Sequence, residues 1–301
     1  MAYDPFEPGP FRVATSTDAL VDHMRERTLP YEVWRPVSEA PKKGFPLILY
    51  SHSSYGHRRQ SALLLTHLAS HGYVVAAADH SGNTAADWGG AAPAVPALSP
   101  EEREARTARI IAHRVPDLRF IVDALLGGAQ DVAACIDPAR LGLLGWSFGG
   151  WAVLATLEHD DRFGAVVAMA PAGSSKPLPG IIPATLKFVW KRRVPALFLV
   201  AERDRFTPLE GEQELFARAP LPRRMFILRG ADHGHFADVI DEPGACSPEH
   251  AHLFTRGLTL AHFDAALKFD DDAAEFIASD APSSLRRRGI AAISASVDRV
   301  Q

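Results

Sequence analysis

From residue 30 onward, short apolar runs alternate with stretches of helical periodicity. That alternation restricts the chain to an α/β fold, a doubly wound and mostly parallel central sheet covered by helices on both faces. The segment LPYEVWRP (29–36) alternates like a half-exposed outer strand. PLILYS (46–51), YVVAAAD (73–79), LGLLGW (141–146), GAVVAMA (164–170), PALFLVA (195–201) and RMFILRG (224–230) are instead continuous apolar runs, suited to burial on both faces.

Helical signals fill the gaps. RRQSALLLTHLASHG (58–72) has apolar residues at helical spacing and stops at Gly72. The longest helical stretch starts at Ser99, where SPEE supplies a cap, a proline at the first helical position and Glu102 three residues on. Pro116 is expected to kink or restart it, and PDLRFIVDALLGG (116–128) continues to a Gly pair. A further helix is predicted over 251–269, followed by a tail over 281–301. Residues 81–98 and 171–193 break the rhythm just after strand ends, where open α/β sheets bind ligands, and both read as loops or lids. The apolar side chains of the second segment, Leu178 to Trp190, either line a pocket or pack down as an additional core helix. No repeat divides the chain, so residues 1–301 form a single domain.

Composition limits the partners. The 301 residues carry a formal net charge of −4, and no Lys/Arg-rich segment interleaved with aromatics provides a footprint for nucleic acid. The N-terminus lacks a basic segment followed by an apolar one, and no apolar run reaches membrane-spanning length. A cytoplasmic protein acting on a small molecule is expected, with no membrane partner. Cys135 and Cys246 have neither metal-ligand spacing nor a disulfide framework and read as free thiols. Nor do the histidines outside 233–235, among them His52, His57, His67 and His71, show metal spacing.

The chemistry concentrates in GWSFGG (145–150), a G-x-S-x-G pattern between a buried strand and the helical GGWAVLATLEH. A serine there sits on a sharp turn at which Gly145 and Gly149 remove Cβ atoms that would collide, and the hydroxyl is lifted above the sheet edge. A serine hydroxyl needs a base, and the base needs a carboxylate to orient it. Asp204 follows the strand PALFLVA and His233 follows RMFILRG, so three separate strand ends deliver Ser147, Asp204 and His233 to one edge. Glu202 rivals Asp204 and His235 rivals His233; Asp232 and Asp238 lie too close to the histidine in sequence to reach its far nitrogen easily. A tetrahedral intermediate also needs two backbone donors. Phe148 N–H supplies one, and the loop HSSYGHR (52–58) supplies the other, from Ser54 or, as runner-up, Ser53.

These residues resemble the dienelactone-hydrolase-like branch of the α/β hydrolases, the group related to platelet-activating-factor acetylhydrolase. The resemblance spans roughly residues 22–279 and rests on RTLPYEVWRP, LILYSHSSYGHRR, LASHGYVVAAADH, HRVPDLRFIVDALL, IDPARLGLLGWSFGG, PALFLVAERDRFTP and GADHGHFAD. It implies a serine esterase with Ser147 as nucleophile, His233 as base and Asp204 as acid, and with no metal or organic cofactor. Eukaryotic acetylhydrolases place the acid one strand earlier, where AMAPAG (168–173) has no carboxylate, so the bacterial arrangement fits. Three departures mark this chain: His52-Ser53 in place of His-Gly, Trp146 in place of the usual His before the nucleophile, and Ser147 where dienelactone hydrolase has cysteine. Two other functions share the fold: a non-catalytic ligand receptor, and an amide or C–C bond hydrolase on the same residues.

Overall fold

In a computed structural model, which describes residues 3–88, 99–179, 181–241 and 245–297, nine strands form one sheet. The chain runs β1 (Val13–Asp22), β2 (Arg27–Pro36), β3 (Phe45–Ser51), α1 (Ala62–Ser70), β4 (Val74–Ala78), α2 (Pro100–Leu126), β5 (Ile136–Trp146) and α3 (Phe148–Thr156). It continues through β6 (Phe163–Met169), β7 (Ala196–Ala201), α4 (Leu209–Arg218), β8 (Arg223–Leu228), α5 (Pro248–Phe263), α6 (Asp271–Glu275), α7 (Ala281–Arg287) and β9 (Ala292–Val297). The spatial order is β1-β2-β4-β3-β5-β6-β7-β8-β9. The six strands from β4 to β8 are mutually parallel, while β2 pairs antiparallel with β4, β1 antiparallel with β2, and β9 antiparallel with β8.

The six continuous apolar runs are the six parallel strands, as burial on both faces requires. Alternate residues enter two cores: Leu47 and Leu49 pack with α2, α3 and α4, whereas Ile48 and Tyr50 pack with α1, α5 and α7. The strand order reverses between β3 and β5, and the crevice outside their carboxyl ends is where such sheets place ligands. That crevice holds both the 52–58 loop and Ser147.

Four expectations are corrected. The strand at 29–36 is not outermost, because β1 pairs along the whole of β2. The helix begun by Ser99 runs through Pro116 without restarting: Pro116 leaves only the carbonyl of Ala112 without its helical donor, and Ala112 is exposed to water. The 281–301 segment is not a tail in its described part, since α7 packs Leu285 into the core and β9 pairs with β8. Residues 171–193 form no helix in their described part. Of the other lid candidate, 81–88 is described and ends in a short 3₁₀ turn at Ala86–Trp88, and 89–98 lies outside the described residues.

Candidate active site

Ser147 stands between β5 and α3 with φ 58° and ψ −119°, a left-handed conformation that costs a non-glycine residue of order 1–3 kcal/mol. Its surroundings hold it there. Ser147 N–H donates to the Met169 carbonyl at 2.8 Å, and its own carbonyl accepts from Ala172 N–H at 3.0 Å and Trp151 N–H at 3.1 Å. The flanking glycines are obligatory: a Cβ on Gly145 would lie 2.2 Å from the Gly149 carbonyl oxygen, and one on Gly149 would lie 2.0 Å from that of Ser51. The elbow thus presses directly on the end of β3.

Asp204 and His233 meet at the same edge of the sheet. His233 Nδ1 lies 2.7 Å from Asp204 Oδ2, and both residues are buried. Asp204 Oδ1 accepts from the N–H groups of Phe206 at 2.8 Å and Thr207 at 2.7 Å, and the Thr207 hydroxyl donates to Oδ2 at 2.9 Å. With the carboxylate so fixed, the Nδ1 proton of His233 points to Asp204 and Nε2 is left to act as an acceptor. The imidazole has two aromatic neighbours, 5.4 Å from the ring of Trp146, the residue before Ser147, and 5.2 Å from that of Phe206.

The rivals are occupied elsewhere. Glu202 accepts from Arg229 Nε at 2.9 Å and Gly230 N–H at 2.8 Å. His235, fully buried, accepts the Asp232 N–H at Nδ1 (3.0 Å) and so closes the turn that carries His233. Asp232 caps that same turn through the His233 N–H at 2.7 Å and pairs with Arg205. Asp238 accepts from Leu63 N–H. In the 52–58 loop, Ser53 N–H is taken by Gln60 Oε1 at 2.9 Å, which leaves the Ser54 N–H as the free donor of the pair among the described residues. Phe148 N–H, the first of α3, has no helical acceptor and lies at the positive end of the helix dipole.

A second carboxyl stands behind the first. Glu212 is buried, with Oε1 3.2 Å from the Thr207 hydroxyl, and burial and the nearby Asp204 charge raise its pKa well above the usual carboxylate range. Nothing in the sequence pattern marked it, because its burial against Thr207 at the start of α4 is seen only in the folded chain. Segment 171–193 divides in two. Leu178 and Ile181 join Pro171 and Phe206 around a cavity of about 10 Å³, whereas Trp190 donates its indole N–H to the Leu154 carbonyl and Leu186 is buried in the core. No cluster of His, Cys, Asp and Glu suited to a metal ion occurs among the described residues, and no described helix is long and apolar enough to cross a membrane.

Comparison with known proteins agrees with this geometry. The model of the platelet-activating factor acetylhydrolase, isoform II, family matches residues 19–104, which include the 52–58 loop, and that of the prolyl oligopeptidase family matches 121–175, which include the elbow. The platelet-activating factor acetylhydrolase of Cavia porcellus is 25% identical over 226 residues, covering 64% of this chain and 48% of that one. The enzyme of the same name from Canis lupus familiaris is 27% identical over 229 residues, with the same coverage of 64% and 48%. The chain spans about half the length of these relatives. The chain has an α/β-hydrolase fold and is similar in sequence to the platelet-activating factor acetylhydrolases.

Proposed function

We propose that the protein is a serine hydrolase that cleaves carboxylic esters of short acyl groups through an acyl-enzyme. Ser147 is the nucleophile, His233 the general base, Asp204 the residue that orients it, and the N–H groups of Phe148 and Ser54 the oxyanion donors. The observation that carries this reading is the Asp204–His233 contact of 2.7 Å at the sheet edge that also carries a serine held in a strained turn. A structural serine has no need of that strain, and a ligand receptor has no need of the oriented base.

His233 Nε2 takes the Ser147 proton as Oγ attacks the ester carbonyl, and Asp204 stabilises the imidazolium that forms. The oxyanion lies between two amide donors at a helix N-terminus, so its charge is met without reorganisation. His233 then returns the proton to the departing alkoxide. Water repeats the sequence on the acyl-enzyme, releasing the acid and restoring Ser147.

Thr207, which bonds Asp204, also borders with Phe206 a cavity of only about 10 Å³, so little open space adjoins the Asp204–His233 pair on that side, and we take the acyl group to be short. The word acetylhydrolase in the names of the relatives agrees. The match of the elbow to the prolyl oligopeptidase family makes amides the bond to compare. The test is hydrolysis of p-nitrophenyl acetate against the corresponding anilide, by the wild type and by Ser147→Ala. Ester turnover well above anilide turnover, reduced about 10⁶-fold in Ser147→Ala, is expected. A preference for the anilide, or a Ser147→Ala variant that keeps more than about a hundredth of the rate, contradicts it.

A further inference from the structure

Behind the 52–58 loop lies a buried polar network that the chemistry above does not use. At its centre is Arg114 of α2, 1% exposed. Its guanidinium donates to the carbonyl oxygens of His52 at 2.7 Å and Ser53 at 3.1 Å, to Ser51 Oγ at 3.2 Å, and to Asn83 Oδ1. Its carbon lies 4.8 Å from the centre of the Phe148 ring. None of its bonds goes to a carboxylate. Asp117, one turn further along α2, is occupied by Arg25, Arg27 and His80.

A buried cation bonded to neutral acceptors is costly, so stability alone does not account for it. The peptide geometry does. The Ser53 carbonyl and the Ser54 N–H belong to one trans peptide and point in opposite directions. A cation on the carbonyl end fixes the plane and polarises the N–H end toward the substrate.

The histidines complete the clamp. His52 Nε2 accepts the His80 N–H at 3.0 Å, so its proton is on Nδ1, which donates to the Ser53 carbonyl at 2.7 Å. His80 places Nδ1 3.0 Å from Asp117 Oδ2 and Nε2 3.0 Å from Ser51 Oγ. Ser51, His80 and Asp117 imitate a catalytic triad, but Ser51 is 0% exposed and its hydroxyl accepts from Arg114, so it cannot meet a substrate.

We propose that Arg114 is a positioning residue of the oxyanion hole, its guanidinium fixing and polarising the Ser54 amide from behind while it backs the Phe148 ring. The proposal rests on the reading of Ser147 and its donors given above. Burial lowers the Arg114 pKa to about 9, which leaves it a cation at neutral pH.

The test is kcat and KM for p-nitrophenyl acetate, normalised to the sites that a fluorophosphonate labels to completion, in Arg114→Lys and Arg114→Ala. Loss of one oxyanion donor costs about 10²–10³ in kcat, so Arg114→Ala should lose about 10²-fold and Arg114→Lys about 10-fold, with KM changed less than about threefold. Arg114 lines a cleft of about 530 Å³ beside α2, so added guanidinium ion should restore kcat to Arg114→Ala, and methylammonium should not. Asn83→Ala, which loosens the guanidinium without touching the loop carbonyls, should lower kcat in the same sense and serves if Arg114 variants fail to fold. Wild-type kcat in the folded variants, or a loss confined to KM, overturns the proposal. Wild-type enzyme without Ser147-dependent esterase activity overturns the underlying reading, and this inference with it.

Discussion

His233 and His235 stand two residues apart and serve different ends. His233 faces Asp204 and the elbow, whereas His235 is wholly buried and ties the Asp232 N–H to its ring. His233→Ala should therefore abolish turnover with little change in melting temperature. His235→Ala should leave an unsatisfied buried N–H, cost about 1–3 kcal/mol of stability, and spare most of kcat in the protein that remains folded. Parallel thermal melts and ester kinetics separate the two, and the opposite pattern reassigns the base. The placement of Ser147, Asp204 and His233 just past the ends of β5, β7 and β8 was legible in the sequence, because apolar strands and their ends can be read from composition. Arg114, Glu212 and Thr207 were not: what Arg114 touches depends on α2 returning to the end of β3, and Thr207 and Glu212 lie in a loop and helix start whose side-chain contacts no periodicity marks. His52 and His80 fell between these cases. Both follow strand ends, yet only the folded chain shows them joined to each other and to the Ser53 carbonyl.

At the scale of elements, the same logic explains what was missed. The six parallel strands are apolar throughout and announce themselves. β1 (VATSTDALVD) and β9 (AISASV) each pair on one side only, remain largely exposed, and carry no apolar run to mark them. The capping box of α2 was legible from spacing, and Glu102 N–H does donate to Ser99 Oγ at 3.1 Å while Ser99 N–H donates to Glu102 Oε2 at 2.7 Å. Pro116 misled because a missing helical bond matters little where the freed carbonyl meets water. Segment 171–193 carries a prediction at this scale. Phe206 and Leu178 border the small cavity, while Trp190 anchors the segment to α3. kcat/KM for p-nitrophenyl esters should decline from acetyl to hexanoyl in the wild type. Phe206→Ala or Leu178→Ala should shift the optimum to longer chains, by up to about 0.8 kcal/mol for each methylene that gains burial. Trp190→Ala should lower stability and leave the profile unchanged. A profile insensitive to Phe206 and Leu178 places the acyl group elsewhere.

For the whole molecule, buried histidines set the response to acid. Burial pushes the pKa of His67 down to about 3 and those of His80 and His262 down to about 4. Unfolded histidine titrates near 6.5, so between roughly pH 4 and 6.5 the unfolded chain binds more protons than the folded one, and stability rises with pH across that window. Each histidine contributes a slope of about 1.4 kcal/mol per pH unit inside it, against a total stability of about 5–15 kcal/mol. The buried Asp117, whose pKa is held below the usual carboxylate range by His80 and Arg27 against its desolvation, adds a loss only below about pH 4. Urea midpoints should fall steeply from pH 7 to pH 5, and a flat profile there would mean that these imidazoles are charged or solvated in the fold.

The central claim, that Ser147 is a nucleophile made reactive by His233 and Asp204, is tested most directly by covalent labelling. Wild-type protein treated with a fluorophosphonate should gain the mass of one phosphonyl group, with tandem mass spectrometry placing it on Ser147. Ser147→Ala should gain none, and His233→Ala and Asp204→Ala should label far more slowly while folded. A label on another residue, or an equal labelling rate in folded His233→Ala, contradicts the account.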